Sequence, residues 1–307
     1  MSLAVLIPTF RRNASLERAL RSVFAQTLAP DEIIIVDNAP EGGARALAET
    51  LKGRSPCPLV YVHAAEPGVA NARNAGFAAT KARFIAQLDD DESAAPDWLE
   101  ALMNTRARFD AAVVFGPVRA EAHAPGRLRA ALMRRLYSRE PALEDGVIAK
   151  PWGCGNSLID RQVCVLPDPP FDASANETGG EDDLLFSALG RGGARFVWAG
   201  KAQVSEHVEG ARAAWRHLLR RSFAYGQGAT QACLAGGRRN YAGAAFWMTA
   251  GAGQALVYAL AFPAARLLGA RAGAACLDRM VQGAGKLVWI DALSPRFYGA
   301  AKLARAG

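Results

Sequence analysis

Short apolar runs alternate with amphipathic stretches over roughly the first two-thirds of the chain. "LAVLIP", "EIIIVDN" and "LVYVHA" read as strands, apolar throughout as strands covered on both faces should be. "RFIAQLDDD" reads as a fourth strand ending in carboxylates, "AAVVFGPV" as a fifth, and "ARFVWAGKAQVSEH" as the last. Between them, "SLERALRSVFAQ" sets Leu16, Leu20, Val23 and Phe24 at helical spacing, with Ser15 placed to cap the helix. "GARALAETLKG", "GVANARNAGFAAT" and "PDWLEALMNTRARF" supply further helices. "RLRAALMRRLYSR" adds a basic amphipathic one, with Leu128, Leu132 and Leu136 four apart. "KPWGCGNSLIDRQV" is loop followed by structured chain, and "FDASANETGGEDDLLFSALGRGG" is a glycine-rich entry to a helix. This alternation predicts an α/β fold, a mostly parallel sheet flanked by helices. In such sheets ligands sit beyond the carboxyl ends of the strands, where "PTF", "VDN" and "DDD" all fall.

The pattern changes near residue 208, which divides the chain into residues 1–207 and a helical, Ala/Gly-rich appendage, 208–307. "ARAAWRHLLRRSFAYG" puts Arg212, Arg216 and Arg220 on one helical face beside Trp215, Leu218, Leu219 and Phe223. Residues 240–265 contain no charged side chain, and Arg238, Arg239, Arg266 and Arg271 flank them. That stretch is long enough to cross a bilayer. It is also interrupted by Asn240, Gln254 and Pro263, so three readings stand: a single span, a segment lying in the membrane interface, or a soluble helix pair. The neighbouring basic amphipathic helices suit an anionic membrane surface.

A formal charge of +7 adds that the partners are anionic, without choosing among them. Nucleic acid is disfavoured, because no nucleic-acid motif or aromatic-interleaved basic platform is found. Five scattered cysteines, with no CxxC pair, argue against a disulfide framework or a zinc site. The N-terminal apolar run is cut by Pro8 and followed rather than preceded by arginines, so it reads as a strand and not a signal peptide. There is no Walker loop, no GxGxxG and no fixed-period repeat.

The chemistry centres on Asp89, Asp90 and Asp91, three mutually repelling carboxylates at a strand end. A hard divalent ion would relieve that repulsion, and magnesium typically takes one or two carboxylates plus substrate phosphates. If the chain stays extended, Asp89 and Asp91 point to one side as a D-x-D element and Asp90 faces elsewhere.

The ordered set "VLIPTF", "EIIIVDN", "GVANARNAG", "IAQLDDDE…PDWLE", "GCGNSLIDR" and "FDASANETGGEDDLLF" resembles the inverting nucleotide-sugar glycosyltransferases of family 2, with the GT-A fold, over roughly residues 3 to 207. The resemblance implies transfer of a sugar from a nucleotide diphosphate to a saccharide or lipid-linked hydroxyl, with Mg2+ or Mn2+ as cofactor. It places Thr9, Asp37, Arg73, Asp89 and Asp90 at the nucleotide or diphosphate and Asp91 at the metal. Asn156 and Glu181 fall in the region bordering the sugar and acceptor, and Asp182 is the general base. "EDD" leaves Asp183 as an alternative base through a one-residue shift. His207, in "VSEH", is a candidate beside the metal or diphosphate; His63 and His217 read as structural or surface groups, and His123 is uninformative. The implied location is the cytoplasmic face of a bacterial cell membrane, with peripheral or single-span attachment. A nucleotidyltransferase, or an idle nucleotide-sugar-binding protein of the same fold, are the rival readings.

Overall fold

The structure, a computed structural model, describes residues 2–141, 143–176, 179–234, 239–290 and 293–295. Arg238, expected to flank the apolar stretch, lies outside the described residues. Contacts divide these residues into two units, one of residues up to Arg119 plus Arg139–Glu206, the other Ala120–Ser138 plus His207–Pro295. A single cut near 208 was expected. The difference is the basic helix near 127–139, which packs with the C-terminal helices rather than staying with the sheet.

The first unit runs β1 (Leu3–Thr9), α1 (Asn13–Phe24), β2 (Glu32–Asp37), α2 (Arg45–Lys52), β3 (Leu59–His63), α3 (Val69–Ala78), β4 (Phe84–Gln87), β5 (Glu92–Ala94), α4 (Trp98–Phe109), β6 (Val113–Phe115) and β7 (Val118–Glu121). After α5 (Arg127–Tyr137) it resumes with β8 (Gly146–Val147), β9 (Ser157–Asp160), α6 (Glu181–Arg191), β10 (Phe196–Trp198) and β11 (Val204–His207). The main sheet has the order β3-β2-β1-β4-β9-β6-β10-β8, and a small sheet is ordered β5-β11-β7. Strands β3, β2, β1 and β4 are mutually parallel, as are β6 and β10. The main sheet is mostly parallel, as expected, with two exceptions: β9 enters antiparallel between β4 and β6, and β8 pairs antiparallel with β10 at the edge.

Strand alternation builds a core on each face. Val5, Ile7, Ile33 and Ile35 pack with Leu16, Leu20, Leu51, Leu99 and Leu102 of α1, α2 and α4. On the opposite face Ala4, Ile34 and Val36 meet Ala72 of α3, and Leu6 and Ile85 meet Phe77 of α3 and Phe186 of α6.

Three local expectations are corrected. β4 stops at Gln87, and Glu92 N donates to Asp89 O at 3.0 Å, so the carboxylates lie in a turn. "AAVVFGPV" breaks into β6 and β7 at Gly116, where a side chain would meet Ala202 O at 2.4 Å. Ser15 lies inside α1, whose cap position is Arg12.

The second unit consists of α5 with α7 (Trp215–Leu234), α8 (Tyr241–Leu267) and α9 (Ala270–Leu287). Leu132, Met133, Leu136, Leu218 and Ala274 form its core. α8 and α9 pack antiparallel with backbones nearly touching. A Cβ on Gly283 would lie 2.6 Å from Ala255 N, and one on Gly285 would lie 2.1 Å from Phe223 O of α7. Small residues permit this closeness, as they do between membrane helices.

In the first unit, Gly76 seats α3 on the sheet, since a Cβ there would lie 2.3 Å from Leu6 Cδ1 and 3.0 Å from Val36 Cγ2. Gly76→Ala should destabilise the protein by ~1–3 kcal/mol despite its better helix propensity. Urea denaturation measures this, and an unchanged or raised midpoint would show that the α3–sheet contact is slack.

Candidate active site

The candidate residues gather at the carboxyl ends of β1, β2 and β4 because parallel pairing aligns these tips. Thr9 pairs in register with Asp37, and Leu6 with Gln87. Thr9 is buried and its Oγ1 donates to Asp90 Oδ2 at 2.7 Å. Asp37 is also buried. Its carboxylate accepts from Ala39 N, Ala44 N and Tyr61 Oη, and so builds the turn before α2. The neighbouring Asn38 shapes the loop after β3, donating to Ala64 O and Glu66 O and accepting from Gly68 N.

The acidic turn is neutralised by arginines from three directions. Arg12 Nη1 lies 3.1 Å from Asp90 Oδ1 and 2.7 Å from Asp91 Oδ2. Arg73 Nη2 lies 3.1 Å from Asp89 Oδ1, and Arg139 Nη2 lies 3.2 Å from Glu92 Oε1. The expected D-x-D pair is thus divided in this structure, Asp89 turning to Arg73 and Asp91 to Arg12, because the chain turns after β4 instead of staying extended. Burial raises the Asp90 carboxyl, with Arg12 and Thr9 opposing.

Arg73 brings in the second acidic motif. It sits on α3, buried, and its Nη1 donates to Glu181 at the start of α6. Sequence-distant amides hold these parts together. Asn176 Oδ1 accepts from Ala70 N and Asn71 N, completing the N-terminus of α3. Asn74 and Phe171 exchange two hydrogen bonds of 2.8 Å. The segment ahead of α6 is therefore zipped along α3, and Glu181 arrives at Arg73. Burial works against the charge of Arg73, but the surrounding acidic groups, Asp89, Glu181 and Asp182 among them, hold its pKa above the ordinary value. Burial likewise raises Glu181, against the pull of Arg73.

Asp182 turns toward the 153–156 loop, where its Oδ2 accepts from Cys154 N at 3.4 Å. That loop needs its glycines for close approach. A Cβ on Gly153 would meet Arg139 Nη1 at 2.5 Å and Asp182 Oδ2 at 3.0 Å, and one on Gly155 would meet Asp89 Oδ2 at 2.7 Å and Glu92 Oε1 at 2.8 Å. Asn156 has φ 59° and is fully buried. Its amide accepts from Trp98 Nε1 and donates to Pro117 O and Ala202 O. It secures the loop from beneath and presents no free amide on it. Of the acidic triplet on α6, Glu181 is committed to Arg73, Asp182 faces the loop and Asp183 is exposed. His207 closes β11 and belongs to the second unit.

Sequence reasoning passed over Arg12, Arg139 and Tyr61. Arg12 had one signal, a cation directly after the "PTF" strand tip.

The profile described as Glycosyl transferase family 2 matches residues 4–164. The chain belongs to glycosyl transferase family 2. This family 2 chain is 34% identical over 222 residues to the succinoglycan biosynthesis protein ExoM of Rhizobium meliloti, 71% of either chain. It is 30% identical over 107 residues to a validoxylamine A glucosyltransferase of Streptomyces hygroscopicus subsp. limoneus, 34% of this chain and 24% of that one. Its fold resembles that of S. aureus TarS, with a TM-score of 0.52 at 13% identity over 80% of this chain and 42% of that one.

The donor set of the family 2 enzyme suits a hard divalent ion, since Asp89 and Asp91 offer oxygen ligands only. Among the described residues no three His, Cys, Asp or Glu gather as a cage. An ion held by Asp91 and Asp89 would have to draw its remaining ligands from phosphate and water.

Glu92 supplies a test of the electrostatics. Burial, then the charge of Asp89, push its carboxyl up to about 8 from an ordinary 4.5, against the pull of Arg139. The folded protein then holds this proton where the unfolded chain has lost it. The contribution of Glu92 to stability is complete below the unfolded pKa and is lost as pH rises through about 8. In EDTA, wild type should lose stability relative to Glu92→Gln as pH rises from ~5 to ~8, by up to ~1.4 kcal/mol per pH unit. Denaturant curves across that range measure it, and a pH-independent difference would mean Glu92 is already ionised.

Proposed function

We propose that this family 2 glycosyltransferase moves a sugar from a nucleotide diphosphate onto the hydroxyl of a saccharide or lipid-linked acceptor, inverting the anomeric centre, in the assembly of a polysaccharide. The observation that carries this reading is the bridge made by Arg73, which ties the acidic turn after β4 to the acidic start of α6. The similarity to a succinoglycan biosynthesis protein supports the polysaccharide assignment.

In this reading the nucleotide lies over the tips of β1 and β2, beside Thr9 and the turn that Asp37 and Tyr61 shape. Asp91 with Asp89 holds a magnesium or manganese ion. The ion, when bound, offsets charge developing on the departing diphosphate. Asp182 takes the proton from the acceptor hydroxyl as that oxygen attacks C1 opposite the diphosphate. Glu181 cannot serve while Arg73 holds it, so its part is to position Asp182, the next residue on α6. Arg73 and Arg139 keep positive charge beside the leaving group.

Asp182→Asn should lower turnover by ~100- to 10,000-fold and leave donor affinity within about twofold. Release of free nucleoside diphosphate from a nucleotide-sugar measures turnover, and calorimetry measures affinity. Near-normal turnover would remove Asp182 as base and move attention to Asp183.

The partner of the second unit is read as the anionic cytoplasmic leaflet. Residues 120–138 and 207–295 hold 14 Arg and Lys against 4 Asp and Glu, a net +10 in a chain of +7. α8 is apolar enough to span, and only 6% of its most apolar window is buried. Phe246, Leu256, Val257 and Leu260 are exposed along it. Its packing favours lying in the interface. Midway along α8, Gln254 donates to Arg279 O and accepts from Lys286 Nζ, both on α9. α9 also carries buried Asp278, paired with Arg135 of α5. A spanning α8 that kept these partners would carry them into hydrocarbon, at ~2.5–3.5 kcal/mol per charge near the centre. An in-plane α8 puts its apolar face in the acyl boundary and leaves the arginines at the headgroups.

Leu256→Glu with Leu260→Glu should cut co-sedimentation with phosphatidylglycerol/phosphatidylcholine vesicles at least tenfold without lowering the melting temperature. Unchanged vesicle binding together with a loss of dimer would reassign the face to a second copy of the chain.

A further inference from the structure

Asp90 and Asp91 are adjacent and buried, and one nitrogen, Arg12 Nη1, lies 3.1 Å from the first and 2.7 Å from the second. This single cation between two carboxylates engages Asp91, one of the two oxygen ligands proposed for a divalent ion. We propose that Arg12 is a placeholder cation: it holds Asp91 while the donor is absent, then passes to the donor diphosphate and frees Asp91 for the metal. This rests on the metal-dependent reading of the site given above.

Three features make Arg12 the part that moves. Its side chain is 32% exposed, whereas those of Asp90 and Asp91 are 8% and 11% exposed, so the cation has a path out and the carboxylates do not. Its backbone is fixed. Arg12 caps α1, with Leu16 N donating to its carbonyl, and the preceding Arg11, at φ 55°, is held by two hydrogen bonds to Glu41. Motion is therefore confined to the side chain. Asp90 has other partners to keep it in place, since Thr9 Oγ1 and Phe10 N both donate to its Oδ2.

The destination follows from charge. A guanidinium cannot share a carboxylate oxygen with a divalent ion without like-charge repulsion, and it matches a diphosphate through two parallel N–H donors. Arg12 sits at the tip of β1 beside Thr9, where the nucleotide is proposed to lie. No bond is made or broken in the exchange; one cation replaces another at Asp91. The consequence is coupling. Metal alone competes with Arg12 and binds weakly, whereas diphosphate removes the competitor, so each ligand strengthens the other.

The test is Mn2+ binding to the full chain, read from the free-ion signal in electron paramagnetic resonance, with and without inorganic pyrophosphate. Arg12→Gln should bind Mn2+ alone at least tenfold more tightly than wild type, and most of the coupling to pyrophosphate should vanish. Arg12→Lys, which keeps a charge without the fork, should fall between, and it carries the test if Arg12→Gln melts too low for measurement. Asp91→Asn should abolish the tightened binding. Mn2+ affinity unchanged or weakened by Arg12→Gln, while wild type still binds through Asp91, would overturn the placeholder alone and leave Arg12 a structural ion pair. Failure of every form to bind Mn2+, even with pyrophosphate, would overturn the metal reading and the placeholder with it.

Discussion

A buried guanidinium is the constraint on which the site depends. Arg73 is almost wholly out of water, and a charge in that position is tolerable only with close acidic partners. It has Asp89 on one side and Glu181 on the other, from segments far apart in sequence. Removing one partner of such a group typically costs ~3–5 kcal/mol. The arrangement is therefore all-or-none. With Arg73 in place, the turn after β4 and the start of α6 converge; without it, several negative charges would face one another unshielded.

The same rule runs through the rest of the acidic turn. Every carboxylate from Asp89 to Glu92 has an arginine neighbour, Arg73 for Asp89, Arg12 shared by Asp90 and Asp91, and Arg139 for Glu92, each arginine supplied by a different segment of the chain. Arginines already held in place at rest would be preorganised for a negatively charged ligand such as the diphosphate proposed for this site. Gly153 and Gly155 let the loop pass between these charges without a side chain to push them apart.

Much of this was legible in the sequence. The runs in "LAVLIP" and "EIIIVD" are apolar at every position because both sheet faces are covered, and they became β1 and β2. The polar tips "PTF", "VDN" and "DDD" fell together because parallel pairing in register leaves no alternative. Strand direction was not legible: "SLID" has the apolar character of its neighbours, and nothing in periodicity says that β9 runs antiparallel. The turn that divided Asp89 from Asp91 was hidden for a similar reason, since its closing bond is between backbone groups. Arg12 was invisible as a partner because its carboxylates lie 78 and 79 positions away. Asn156 was placed by the family resemblance in the loop bordering the sugar and acceptor, and only tertiary packing shows its amide consumed by Trp98, Pro117 and Ala202. In the second unit the length and apolarity of α8 could be read directly, but the polar contacts of Gln254 to α9 could not.

The most direct test of the Arg73 constraint is hydrogen–deuterium exchange on Arg73→Met. Loss of amide protection in the turn at residues 89–92 and at the start of α6 together, with β1 and β2 unaffected, is the result expected of one guanidinium joining both segments. Protection retained at either segment would contradict it, because that segment would then be held in place by something else.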